Sequence, residues 1–391
     1  MQVLVTFWSI CGYNERRRKN INGAYPPVTL IRPLRGVDSC LEENLRSTFK
    51  QEYENLEIIL CVDSEEDEAV EVARKIISEY PNVNATLLIG DKKVGVNPKI
   101  NNLIRGYECA KHELIWIMDS NVIVPKDCLK KSVFQFESPK VAMVHHRILG
   151  TNFNSIAAKF EAMYLSLSHM RTYLFINRLA EYLNPLGTNI VCVIGKSTIT
   201  RKSCIEKLGG LAKFAQYMAE DNALSCALTL QGWECAISTE TAYQNLNNMS
   251  FHAFASRKIR WTRLRYSLSG IITLFEPVTE FIGSLLLGLF TMGTIFRVST
   301  SNLLVFHFFL WFACDMVSYF SYNSEKVTFT SLSLFPLIWT ARELLFFPLY
   351  FLGISKDTIE WRGHKFRLKK ASLAVPYEEG HVSKALKYNK Y

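Results

Sequence analysis

The sequence predicts an α/β protein: a Rossmann-like domain on a mainly parallel sheet, followed by C-terminal transmembrane helices. Three observations carry this. Between residues 28 and 118, short apolar runs alternate with stretches of helical spacing, the mark of βαβ units. From 281 to 352 the chain is dominated by Phe, Leu, Ile, Val and Trp. At the seam between the two parts stands a charged aromatic pentad, Arg257-Lys258-Ile259-Arg260-Trp261.

Residues 20 to 26 form a polar linker that runs into Pro26-Pro27, and Val28 to Arg32 reads as a first strand. Leu41 to Phe49 is a short helix and Leu56 to Val62 a buried strand. Glu68 to Glu79 places Val70, Val72, Ile76 and Ile77 at helical spacing. Ala85 to Ile89 is a third strand, Lys99 to Ala110 a helix, and Leu114 to Met118 a fourth strand. Ligands of such sheets gather beyond the carboxyl ends of strands, and Asp63 and Asp119 each follow a strand directly.

Three later segments are candidate spans, since a crossing needs about 20 apolar residues. Phe281 to Phe296 carries no charge and extends to Pro277 if Glu280 sits at the interface. Asn302 to Tyr322 contains one acid, Asp315. Phe329 to Gly353 is interrupted by Pro336, Pro348 and the pair Arg342-Glu343, which must be neutralised or face protein. Three crossings would separate the carboxyl end from the preceding domain, whereas the basic stretch Trp361 to Lys370 favours the cytosolic side. Phe329 to Gly353 is therefore the segment expected to be re-entrant. Met1 to Tyr13 is apolar but short, and reads as an abbreviated anchor or interfacial segment. The resulting division is 1–19 anchor, 20–256 α/β domain, 257–276 interfacial motif segment, 277–353 membrane helices and 354–391 basic tail.

The formal charge is +9, with its basic clusters beside apolar stretches, so anionic lipid headgroups and a lipid bilayer are the expected partners. No nucleic-acid-binding signature is present, and no nucleic acid is expected as a partner. The ten cysteines show no CxxC pair and no zinc spacing, which fits free thiols in a reducing compartment.

Several residues could carry chemistry. Asp119-Ser120-Asn121 after a strand suits Mg2+ or Mn2+ shared with substrate phosphates, and serves equally as an Asx turn. The run Asp63 to Glu68 offers one carboxylate for a base or ribose, either Asp63 or Asp67, or only a solvated helix start. Lys99 lies just inside a proline-started helix, a ready phosphate site or a solvated lysine. Glu220-Asp221 could work as base and orienter, although acids on helix surfaces are common. Arg257, Arg260 and Trp261 share one helical face, where two guanidiniums can neutralise a departing diphosphate. An interfacial helix with snorkelling arginines has the same pattern. His145, His146 and His169 lack metal-ligand spacing and read as structural.

In order along the chain these motifs resemble the ceramide glucosyltransferase family, an inverting branch of the GT-A glycosyltransferases. The most specific stretches are Lys92 to Leu103, Phe214 to Asp221 and Arg257 to Trp261. The resemblance implies a GT-A domain, UDP-glucose as donor, ceramide as acceptor, and a site on the cytosolic face of the Golgi. Its three functional aspartates fall on Asp67, Asp119 and Asp221, with Asp221 as the catalytic base and Asp119 as holder of a divalent cation. Its Arg-Trp motif falls on Arg257, Arg260 and Trp261, and a histidine near the acceptor falls on His169. Asn121 departs from the small residue expected there, and Thr172 to Leu186 reads as an insertion beside the acceptor region. Two other readings share these residues: a processive polysaccharide synthase, which needs a polymer channel, and an inert lipid-binding relative.

Overall fold

The computed structural model describes residues 6–7, 25–38, 40–323, 329–361 and 363–377. Most of the amino-terminal anchor segment and the end of the basic tail lie outside the described residues. One eight-stranded sheet organises the domain, in the order β3-β2-β1-β4-β7-β6-β8-β5. Its strands are β1 (Val28–Leu34), β2 (Leu56–Val62), β3 (Ala85–Ile89), β4 (Leu114–Met118), β5 (Val122–Ile123), β6 (Val141–Phe153), β7 (Ser197–Arg201) and β8 (Glu234–Asn247). The run β3-β2-β1-β4 is wholly parallel, as the alternating strand and helix pattern dictates. Beyond β4 the sheet is mixed: β7 is antiparallel to both β4 and β6, while the long strands β6 and β8 pair in parallel.

The core is split by the sheet. Leu30, Ile58, Leu60 and Trp116 face one layer with Leu45 and Ile76, and Ile31, Ile59 and Ile115 face the other with Leu103 and Ile104. Successive strand residues point to opposite faces, so these runs are buried on both sides. The order of strands reverses between β1 and β4, which opens a crevice beyond their carboxyl ends. Asp119 stands at its lip.

That crevice rests on a buried cation. Arg32 is completely buried in β1; its guanidinium donates to the carbonyls of Asp119 at 2.8 Å, Ser120 at 3.0 Å and Val122 at 2.8 Å. Its other nitrogen donates to the Asn44 carbonyl at 2.7 Å. Burial lowers its pKa to about 9, with Asp119 opposing.

The apolar region differs from the expectation of three spans. Thr300–Tyr322 and Leu332–Ile354 are long and apolar enough to cross a membrane, whereas Phe281–Thr294 is shorter. Its 14 residues rise about 21 Å, short of a hydrocarbon core of about 30 Å. The segment expected to be re-entrant is instead one helix, Phe329–Ile354, containing both prolines. Glu280 is buried within protein and pairs with Arg171 and Arg342, which corrects its expected interfacial place.

The chain returns from this region to the α/β domain. Arg263, on the Phe251–Ser269 helix, donates to the carbonyls of Leu352 at 3.1 Å and Thr358 at 2.8 Å. The following segment, read from sequence as basic tail, forms a three-stranded antiparallel sheet of β9 (Thr358–Trp361), β10 (His364–Leu368) and β11 (Ala374–Pro376). Ile359, Phe366 and Leu368 pack there with Met218, Val96 and Leu264. The small sheet thus braces the three segments that precede or carry Asp221, Lys99 and the Arg-Trp motif.

Candidate active site

Carboxylates far apart in sequence meet around one ammonium. Lys99 Nζ lies 2.9 Å from Asp119 Oδ1 and 3.1 Å from Glu220 Oε1, and donates to the Gly195 carbonyl at 2.9 Å. Its side chain is 12 % exposed, so the pairs are shielded from bulk water. Burial alone would discharge Lys99; Asp119 and Glu220 outweigh it and hold the ammonium charged.

The helix behind Lys99 is Pro98–Cys109, and Asn97 caps it by accepting from the amides of Lys99 at 2.8 Å and Ile100 at 3.2 Å. These amides are therefore satisfied internally, and the Lys99 ammonium is held by Asp119 and Glu220 rather than solvated. The same Asn97 donates to Glu220 Oε2 at 2.9 Å, fixing the second acid against the first helix.

Asp221 lies in the first turn of the Glu220–Leu230 helix, and its carboxylate accepts from the Gly195 amide at 2.6 Å. Burial and the adjacent Glu220 raise its pKa to about 6. A carboxyl held near neutrality is suited to proton abstraction. Asp119 shows the opposite balance. Burial would raise it, but Lys99 and Lys196 prevail and lower it to about 2.

Lys196 escaped sequence reasoning. Its Nζ lies 3.4 Å from Asp119 Oδ2 and 3.2 Å from Asn121 Oδ1, and its backbone carbonyl accepts from the Asp119 amide at 2.9 Å. Burial, with Arg257 nearby, lowers its pKa to about 8. The Gly195-Lys196 step thus ties together Asp119, Lys99 and Asp221. The signal was a polar Gly-Lys-Ser at the head of a strand, a pattern too common to single out.

The Arg-Trp motif lies on the Phe251–Ser269 helix. The Arg257 guanidinium covers the Trp261 ring at 4.5 Å and donates to Gln244 Oε1 at 2.7 Å. Arg260, half-buried, has no hydrogen-bond or ion-pair partner among the described residues; burial lowers its pKa, with Arg257 adding to the effect and Asp119 opposing it. Beneath the motif is Glu161, a fully buried carboxylate 3.3 Å from Arg257 Nε and 2.9 Å from Lys258 Nζ. Neither Glu161 nor Lys258 could be read from sequence, since the acid comes from a different helix, Ile156–Tyr164.

His169 stands between two rings, 5.2 Å from Trp261 and 5.5 Å from Tyr164. Burial and the surrounding cations hold it well below the usual histidine range, so it is uncharged at neutral pH. His145 and His146 are structural as expected, bonded to Tyr173 and to Ser132. Asp67 accepts from the amides of Gly36 at 2.8 Å and Ala69 at 2.8 Å, fastening the loop after β1 to the start of the helix Ala69–Glu79. Asp63 faces Arg35 at 3.4 Å.

Asp119 and Asn121 offer one carboxylate and one amide oxygen. That set fits a hard divalent ion which takes its remaining oxygens from a phosphate, as Mg2+ commonly does. It is not a closed cage: among the described residues no group of three His, Cys, Asp or Glu side chains is placed to hold a metal.

An acidic and basic cluster thus gathers at the switch point of the sheet, with an aromatic wall beside apolar helices. The profile of glycosyl transferase family 21 matches residues 1–374. Ceramide glucosyltransferase 1 of Caenorhabditis elegans is 32% identical over 369 residues, covering 94% of this chain and 77% of its own. The ceramide glucosyltransferase of Komagataella phaffii is 31% identical, covering 94% of this chain and 88% of its own. The chain belongs to glycosyl transferase family 21, the family of the ceramide glucosyltransferases it matches. Among solved structures, mannosyltransferase PcManGT from Pyrobaculum calidifontis, in complex with GDP-Man and Mn2+, is similar with 13% identity and a TM-score of 0.48, covering 90% of this chain and 95% of its own.

Proposed function

We propose that the protein transfers glucose from UDP-glucose to the primary hydroxyl of ceramide, with inversion, at the cytosolic face of the Golgi membrane. The observation that carries this is the convergence of Asp119 and Glu220 on Lys99 directly beside Asp221. In this reading Asp221 takes the proton from the ceramide hydroxyl as it attacks the anomeric carbon, and the Gly195 amide fixes the carboxylate for that task. Asp67 contacts the uridine end of the donor. Lys99, Lys196, Arg257 and Arg260 surround the place where negative charge develops as UDP departs, and preorganised charge is the most effective catalytic device at such a point. Asp119, with Asn121 beside it, would hold a divalent cation, Mg2+ or Mn2+, which when bound supplies further neutralisation of the diphosphate. Trp261 and His169 give the acceptor side a flat, uncharged wall next to the membrane helices.

The decisive test supplies membranes containing the full chain with a short-chain fluorescent ceramide and a panel of radiolabelled sugar nucleotides. A single-sugar glucosylceramide formed from UDP-glucose is expected. Label incorporated only from another nucleotide sugar, or a product longer than one sugar, would overturn the reading.

A further inference from the structure

A second ionic cluster lies away from the donor site, between the α/β domain and the apolar helices. Arg171 Nη1 pairs with Asp315 Oδ1 at 2.8 Å, and its other nitrogen lies 3.8 Å from Glu280. Arg342 lies 3.5 Å from Asp315 and 3.8 Å from Glu280, and also pairs with Glu343. Trp339 Nε1 donates to Asp315 Oδ2 at 2.9 Å. Ser168 sits at the centre, accepting from Arg342 at 2.7 Å and donating to Glu280 at 3.0 Å. All five charged side chains are at most 8% exposed. Burying so many charges adds little stability compared with an apolar core of the same volume. What such a cluster does supply is a unique geometry.

Its place in the fold indicates what that geometry serves. Leu165–His169 is a π-helical turn linking the helices Ile156–Tyr164 and Met170–Leu183. Such turns are frequent at functional sites. Consecutive residues of an α-helix point about 100° apart and those of a wider π turn somewhat less, so one turn can address two neighbours. Here Ser168 faces the membrane helices through Arg342 and Glu280, while His169 faces Trp261 at 5.2 Å. Rotation of the turn about its axis would break the first contact and withdraw the second.

We propose that Ser168, Arg171 and Arg342 are positioning residues: they lock the π-helical turn onto the membrane helices and thereby seat His169 on Trp261 for the lipid acceptor. This rests on the acceptor-side reading of Trp261 given above. The latch acts through contacts on a different side of the turn from the one that faces Trp261, so it sets acceptor affinity and leaves the donor subsite unchanged.

The test uses the full chain in membranes with UDP-glucose and a short-chain fluorescent ceramide. Ser168→Ala is expected to raise the KM for ceramide roughly tenfold, since small displacements at a distance carry such costs, with the KM for UDP-glucose held within about twofold. Ser168→Thr, which keeps the hydroxyl, is expected to restore the ceramide KM. The charge-reversed pair Arg171→Glu with Asp315→Arg is expected to recover activity that each single change removes. Unchanged ceramide KM in Ser168→Ala would overturn the latch, and so would an equal rise in both KM values accompanied by a lowered melting midpoint. If Trp261→Ala leaves the ceramide KM unaltered, the latch has the wrong target and the proposal falls. Wild-type membranes that make no glucosylceramide would instead refute the functional reading itself.

Discussion

Gly195 and Asp221 are in such close contact that no side chain fits between them: a Cβ on Gly195 would lie 2.5 Å from Asp221 Cβ and 2.6 Å from its carboxylate oxygen. The glycine is required by this approach, because its amide must reach the carboxylate at 2.6 Å. Gly195→Ala is therefore expected to displace Asp221 and reduce kcat by about 10²-fold, with a loss of stability of about 1–3 kcal/mol from overpacking. Steady-state kinetics and thermal unfolding of the same preparation check both.

Asp221 has a pKa of about 6, against an ordinary value of 3.8, because of burial and Glu220. As a base it must be ionised, so kcat/KM is expected to fall as pH drops through about 6. Asp221→Asn should reduce kcat by about 10²- to 10⁴-fold. Stability has the opposite sense. A raised folded-state pKa contributes stability that is complete below pH 3.8 and is lost as pH rises through about 6. The asparagine variant should then melt above wild type at neutral pH, an outcome that unfolding curves at pH 5 and pH 8 would reveal.

Asp119 shares its carboxylate between Lys99 and Lys196. Asp119→Asn removes the counter-charge of two buried ammoniums and should abolish measurable transfer. Thorough chelation of divalent ions is expected to lower wild-type activity, with Mg2+ or Mn2+ restoring it. Full activity in chelator would remove the ion from the site while leaving the lysines as the diphosphate partners. Lys196→Met should weaken UDP-glucose binding by about tenfold, the scale of one charge-assisted contact.

Glu161 is buried beneath Arg257 and Lys258. Burial raises its pKa, but the two cations prevail and keep it below the ordinary range. Removing one member of a buried ion pair costs about 3–5 kcal/mol. Glu161→Gln is thus expected to lower the melting midpoint and transfer activity together, whereas Glu161→Asp should recover part of both.

The carboxyl-terminal sheet meets the α/β domain through the Met218 amide and the Ser372 carbonyl at 3.0 Å. Both ends of the apolar region therefore lie on one side of any membrane it crosses. A glycosylation acceptor placed after Pro376 should share the modification state of one inserted in the α/β domain. Opposite states would refute the even number of crossings.

Much of the first half was legible from local pattern. Strands β1 to β4 carry predominantly apolar runs, Arg32 and Glu57 being charged exceptions, and a polar residue at the end of such a run has few places to go except the crevice. That is why Asp63 and Asp119 are legible as strand-end residues from the sequence alone. Beyond Met118 the signal weakened, since β6 and β8 are long strands with irregular register and β7 is antiparallel. Where each apolar segment ends as a helix was not legible, because apolar content does not reveal where a helix stops: a 3-10 turn, Glu276–Thr279, precedes Phe281–Thr294, and that helix ends after 14 residues.

What the sequence determined by itself was the architecture of alternating strands and helices and the apolar C-terminal region, with Asp119, Glu220 and Asp221 as candidates, because these depend on periodicity and on residue type. The tertiary structure alone decided that Lys99 gathers Asp119 and Glu220, that Glu161 supports Arg257, and that Ser168 joins Arg342 to Glu280. The physical reason is distance along the chain. An ion pair depends on a separation of a few ångströms, and that separation is fixed by how whole elements pack.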